Sequence, residues 1–225
     1  MKDSTIERVW SIILGLGLGT LFIILNIFLN MSFTTAQAID WSKGRMFANL
    51  FCCLLAVVSV WILLFALKKI SGITFKLDSF SKKSLVTIFF GLVIYRLLTI
   101  LCFHFMMQKG MSTTINDQML NQSFKGVPLF VVVFIYGFCT PIMEEMAFRG
   151  GIIGLVFKKN QMLGILFSSI LFSALHNPSE VFSWIIYGGF ALIVGYAYSK
   201  TKELGVPVAI HILNNVIGIV GLLLH

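Results

Sequence analysis

The sequence predicts an all-α fold, a polytopic transmembrane helix bundle of about seven spans with a polar catalytic cavity formed by its C-terminal spans. Three observations carry that prediction. Of 225 residues, 58% are hydrophobic and 12% charged, with 22 Phe, whereas soluble domains run to about 45–50% apolar and about 25% charged. Apolar segments fall at roughly 10–31, 46–67, 84–106, 127–150, 161–176, 181–199 and 204–224, most of them near the ~20 residues that cross a bilayer. Ionisable residues recur inside the later segments, where each costs about 2.5–3.5 kcal/mol on insertion scales and so must face a partner or a wet cavity.

The first segment, Trp10 to Met31, is longer than a signal-peptide core and has no small-residue cleavage pattern behind it, so it reads as a retained span. Gly15 and Gly19, four apart within it, predict a small-xxx-small helix contact. In segment three, Arg96 in IYRLLT calls for a structural partner such as a helix carbonyl or a carboxylate. Too little loop is left for a soluble domain, so 1–225 reads as a single transmembrane domain. Its motif-bearing core is about 127–224, and the spans at about 10–106 are accessory.

Lysine and arginine set the orientation, because they accumulate on the cytoplasmic side. With the N-terminus inside, the inner segments carry eleven (Lys2, Arg8, Lys68, Lys69, Lys76, Lys82, Lys83, Lys158, Lys159, Lys200, Lys202) and the outer segments four (Lys43, Arg45, Lys109, Lys125). The protein is therefore expected to be multi-pass, in the plasma membrane, with a cytoplasmic N-terminus and His225 outside. The net charge of +8 does not imply a nucleic-acid partner, since the basic residues sit in short loops rather than in a stripe interleaved with aromatics. Cys52, Cys53, Cys102 and Cys139 lie in apolar stretches without a CxxC pair, which supports neither a disulfide framework nor a zinc ribbon.

Segment four holds CTPIMEEMAFRGGI, residues 139–152. On a helix, residues four apart share a face and adjacent ones diverge by about 100°. Glu145 and Arg149 can therefore pair, while Glu144 points elsewhere. A carboxylate without a partner in a poorly solvated site is suited to act as a general base. The spacing thus divides the work: Glu144 for chemistry, Glu145 with Arg149 for holding the helix. FSALH sets Phe172 and His176 four apart, and HILNN does the same for His211 and Asn215, so a ring and an amide can each fix an imidazole. Glu144 and His176 lie equidistant from Asn160 in the turn between segments four and five, which puts them at one height. His211 fits that height less well, and a helix break at Gly150-Gly151 would reduce the mismatch.

EEMAFR, FSALH and HILNN match, in order and spacing, the EExxxR, FxxxH and HxxxN motifs of the CPBP family of intramembrane proteases. That family includes CAAX prenyl-protein endopeptidases and bacterial Abi and bacteriocin-immunity proteins. The resemblance implies that Glu144 activates a water, that His176, His211 and Asn215 complete the catalytic site, and that Glu145 and Arg149 are structural. No GxSxG elbow, thiol at motif spacing to a histidine, or HExxH signature is present.

The expected reaction is hydrolysis of a peptide bond in a membrane-associated peptide or protein, of CAAX type or bacteriocin or pheromone type. Glu144 would take a proton from water, His211 and Asn215 would stabilise the oxyanion, His176 would orient the water or a neighbouring group, and Phe172 would support His176. A catalytic zinc held by Glu144, His176 and His211 is the alternative. Metal-free chemistry is preferred, because one glutamate can hardly be both tight ligand and base. Two other functional classes stay open: a non-catalytic immunity or sensor-modulating partner of the same fold, and a small transporter coupled through Glu144.

Overall fold

The computed structural model describes residues 2–77 and 80–223; His225, which the charge count puts outside, lies beyond them. Eight helices run through the described residues, with no strand. They are α1 (Lys2–Gln37), α2 (Ser42–Ser71), α3 (Lys82–Gln108), α4 (Ile115–Phe124), α5 (Leu129–Val156), α6 (Gln161–Leu175), α7 (Val181–Thr201) and α8 (Gly205–Leu223).

Local chemistry sets several boundaries. Side-chain oxygens of Ser81, Thr114, Asn160 and Glu180 accept from backbone N–H groups in the first turns of α3, α4, α6 and α7. At the other end of α2, Gly72 adopts φ +70° and its N–H closes on the Lys68 carbonyl, a conformation that glycine takes without a Cβ penalty.

Five helices, α1, α2, α3, α5 and α7, are long and apolar enough to cross a bilayer by themselves; α6 and the apolar part of α8 are shorter. The 15 residues of α6 rise about 22 Å at ~1.5 Å each, against a hydrocarbon core of about 30 Å. The residue that caps it, His176, follows directly.

The structure departs from the sequence reading at three places. First, α5 runs unbroken through Gly150-Gly151. Instead of a break it contains two π-helical stretches, Val133–Cys139 and Met146–Val156, flanking an α-helical turn at Thr140–Glu145. Second, the connection after α3 folds into α4, a polar helix that hydropathy passes over. Third, the glycine contact in α1 involves Gly15 alone. A Cβ on Gly15 would stand 2.4 Å from Val156 Cγ2, whereas nothing lies within 4 Å of the Cβ position at Gly19. The α1 backbone packs closely there against the second π stretch of α5.

The buried core centres on α5. Met143, Met146, Phe148 and Ile153 pack with Leu18 of α1, Leu63 of α2, Phe172 of α6 and Phe190 and Val194 of α7. At one end of the bundle, Lys83 Nζ donates to the Lys200 carbonyl over 3.4 Å, Lys202 Nζ donates to Gln161 Oε1, and the Lys76 carbonyl abuts Gly205. Lys76 and the 157–160 and 202–204 connections therefore gather at one end, and α4 and the 176–180 turn at the opposite end.

Candidate active site

A cavity of about 930 Å³ opens toward the α4 end and is lined by Glu144, His176, His211 and Asn215 together with Phe172. These five sequence-predicted residues come from α5, α6, the turn after α6, and α8. Glu145 and Arg149 lie behind that wall, fully buried.

The predicted pair forms: Arg149 Nε lies 3.0 Å from Glu145 Oε2, with both side chains at 0% exposure. The guanidinium also donates from Nη2 to the Ala191 carbonyl at 3.2 Å and sits 5.2 Å over the Phe172 ring. Two elements, α6 and α7, are thus tied to α5 by one cation.

Glu145 has a second role that its spacing does not reveal. Its Oε1 accepts from His211 Nδ1 at 2.7 Å, while Glu144 Oε2 lies 3.6 Å from Nε2 of the same ring. The two glutamates therefore diverge around α5, as adjacent helical residues must, and meet again on opposite edges of one imidazole. Phe190 and Phe172 pack edge-on against that ring at 4.6 and 5.9 Å. With Nδ1–H committed to Glu145, Nε2 is the nitrogen that faces Glu144, and it carries hydrogen only in the imidazolium form.

His176 is fixed differently. As the residue that ends α6, it donates from Nδ1 to the Phe172 carbonyl at 2.8 Å, and its ring lies between Phe172 (4.3 Å between centroids) and Tyr187 (4.7 Å). Tyr187 in turn shares a hydrogen bond of 2.6 Å with Thr114, the capping residue of α4, and donates to Asp117 at 3.4 Å. Burial pushes the Asp117 carboxyl above the ordinary carboxylate range, with hydrogen bonds from Thr114, Asn116 and Tyr187 and the charge of His176 pulling the other way.

Asn215 donates from Nδ2 to the Tyr136 carbonyl at 3.0 Å. The local sequence explains why that carbonyl is free. In the π stretch the Thr140 N–H reaches back to Ile135, and the next residue, Pro141, has no N–H to give to Tyr136. Arg96, expected to seek a helix carbonyl or carboxylate, donates to the Asn214 carbonyl at 2.7 Å.

A zinc site built on Glu144, His176 and His211 would need all three around one point. Glu144 and His211 are close neighbours. Among the described residues, however, no group of three or more His, Cys, Asp or Glu side chains gathers to hold a metal ion. The donors as arranged do not fit that site.

Sequence reasoning missed Tyr187, Asp117, Arg96 as a cavity residue, and Asn26 and Asn30 of α1, all of which line the cavity. Arg96 carried a signal, a charge inside a span. The others are ordinary polar residues whose convergence depends on the packing of α1, α3, α4 and α7.

The fold and this buried carboxylate–imidazole cluster define a polytopic helical membrane protein with a polar cavity. Residues 126–217 match the family model described as type II CAAX prenyl endopeptidase Rce1-like. The chain is 31% identical over 113 residues to the membrane-embedded CAAX protease MroQ of Staphylococcus aureus, covering 47% of this chain and 44% of that protein. It is 30% identical over 108 residues to UPF0177 protein YvdC of Lactococcus lactis (48% and 41%) and 30% identical over 102 residues to the putative membrane peptidase YdiL of Bacillus subtilis (44% and 40%). The match spans less than half the length of each of these relatives. No solved structure matches the chain.

Proposed function

We propose that the protein is an intramembrane endopeptidase that hydrolyses a membrane-associated peptide with water activated by Glu144. The observation that carries this reading is the single imidazole of His211 held between Glu145 and Glu144 on the cavity wall. The similarity of residues 126–217 to Rce1-like endopeptidases supports it, as do relatives named as a CAAX protease and a membrane peptidase.

In this mechanism a water in the cavity gives its proton to Glu144 and attacks the scissile carbonyl. His211, kept in orientation by Glu145, donates from Nε2 as an imidazolium to the developing oxyanion. Asn215 has one amide hydrogen committed to Tyr136 and contributes the other. Glu144 then passes its proton to the leaving amine. Preorganised donors of this kind contribute about 2.7–4 kcal/mol each. This reading is metal-free, because among the described residues no three metal-binding side chains converge. The substrate is a peptide segment extended enough to enter the cavity, processed in CAAX or peptide-precursor fashion.

The test is comparative peptidomics of membranes carrying wild-type protein or Glu144→Gln. A fragment that appears only with the intact carboxylate, and persists after a strong membrane-permeant chelator, is the expected result. Identical peptide pools would remove the protease reading, leaving an immunity or transport role. Cleavage abolished by the chelator and restored by zinc would remove the metal-free mechanism alone.

A further inference from the structure

Among the described residues, Arg96 is the one arginine or lysine on the cavity wall, and its charge is unanswered. It lies in α3, a span whose sequence belongs to no family motif, yet it lines the cavity with Glu144 and His211. Its Nη2 donates to the Asn214 carbonyl at 2.7 Å, while Nε is buried without any partner. Among the described residues, ion pairs form only between Glu145 and Arg149 and between His211 and the two glutamates, so no carboxylate neutralises Arg96. The acids on the cavity wall are Glu144 and Asp117. Asp117 is engaged by Tyr187 on the α4 side, and Glu144 stands against His211.

An arginine inside a span is expensive unless something compensates it. One carbonyl dipole and one orphaned N–H make a poor counter-ion for a group whose planar fork is shaped to take a carboxylate through two parallel hydrogen bonds. The rest of the wall is chemically distinct. Six of the chain's nine asparagines (26, 30, 116, 121, 214 and 215) line the cavity. Carboxamides both donate and accept, which suits the alternating N–H and C=O groups of an extended peptide and selects no side chain. The amides can hold a peptide backbone, and Arg96 is left to read a charge.

We propose that Arg96 is the specificity-determining residue of the cavity, binding a carboxylate of the substrate peptide, either an Asp or Glu side chain or a free C-terminus, at a fixed distance from the scissile bond. This rests on the reading of the cavity as a peptide-hydrolysing site. Because Arg96 also holds the Asn214 carbonyl next to Asn215, the geometry couples occupancy of the anion site to the placement of the oxyanion donor.

A synthetic decapeptide library, made once with free C-terminal acids and once as amides, separates the two sources of carboxylate. Retention by Glu144→Gln protein in nanodiscs is read by mass spectrometry, and cleavage of the same library by wild-type protein is read in parallel. The expected result is a preference of about 10- to 100-fold, the range for hydrogen bonds to a charged group. It should favour either Asp/Glu over Asn/Gln peptides at one position or free acids over amides. The preference should vanish in Glu144→Gln/Arg96→Gln and weaken in Glu144→Gln/Arg96→Lys, which keeps the charge and loses the fork. A merely structural Arg96 would lower retention of every peptide alike, and that outcome overturns the proposal. So does a carboxylate preference that survives Arg96→Gln. Arg96-dependent, acid-selective retention without any wild-type cleavage would sustain the anion site and sink the protease reading. Cleavage without acid preference would do the reverse.

Discussion

His211 joins the two glutamates that sequence spacing separates. The i,i+4 relation of Glu145 and Arg149 is legible in the sequence, because it lies within one helix and needs only 3.6-residue periodicity. The bond from His211 to Glu145 is not, because it arrives from another helix, 66 residues along the chain. The same limit hid Tyr187, whose stacking on His176 depends on how α6 and α7 pack. The extra bond changes what substitution should do. Glu145→Gln leaves Arg149 buried without its charge partner, at a cost of about 3–5 kcal/mol, and it also removes the carboxylate that fixes the His211 tautomer. It should therefore lower both thermal stability in detergent and turnover per folded molecule. Glu144→Gln, at a partly exposed cavity position, should abolish turnover and leave the melting temperature within a few degrees. Melting curves and single-turnover rates on the two purified variants check this, and an unaffected turnover in folded Glu145→Gln would show that His211 does not depend on it.

Helix α5 explains itself through one dipeptide. Thr140-Pro141 was visible in the sequence as part of the motif segment, but its consequence follows only from the π-helical hydrogen bonding upstream of it. A missing N–H at Pro141 leaves the Tyr136 carbonyl for Asn215, so a backbone defect in one helix positions a side chain of another. Pro141→Ala restores a donor beneath that carbonyl. The expected outcome is a fall in turnover comparable in direction to Asn215→Ala, with stability changed by no more than the net ~0.5–1.5 kcal/mol of one hydrogen bond. Wild-type turnover in Pro141→Ala would disconnect the proline from the site. The glycines of α1 make a second test at this scale. Gly15→Val must displace Val156 at a closely packed crossing and should cost about 1–3 kcal/mol. Gly19→Ala, facing open space, should be neutral or slightly stabilising, since alanine gains about 0.5–1 kcal/mol over glycine in a helix. Thermal unfolding of the two variants decides between this one-glycine contact and the two-glycine motif that the sequence predicts.

At the level of the whole molecule, hydropathy located every long span, since burying backbone amides in lipid admits little else than helices, although α1 extends well past both ends of the predicted 10–31. It missed α4 because that helix is polar, whereas its segments at 161–176 and 204–224 agree with α6 and α8. The architecture gathers the inner loops of the charge count at one end and opens the cavity at the other. If the eleven inner basic residues face the cytoplasm, the active site is reached from outside. In a cysteine-free background, a cysteine at position 121 in α4 should react with a membrane-impermeant maleimide on intact cells, and one at position 76 should not; the opposite pattern would invert the orientation. The cavity wall itself is drawn from two regions of unlike character. Glu144, His211 and their supports lie in the segment shared with Rce1-like proteins, residues 126–217, whereas Asn26, Asn30, Arg96, Asn116 and Asn121 precede it. On the proposed reading, bond-breaking and substrate choice are written in separate stretches of the gene, so recombination near position 125 would exchange one repertoire of peptides for another while the hydrolytic half is inherited intact.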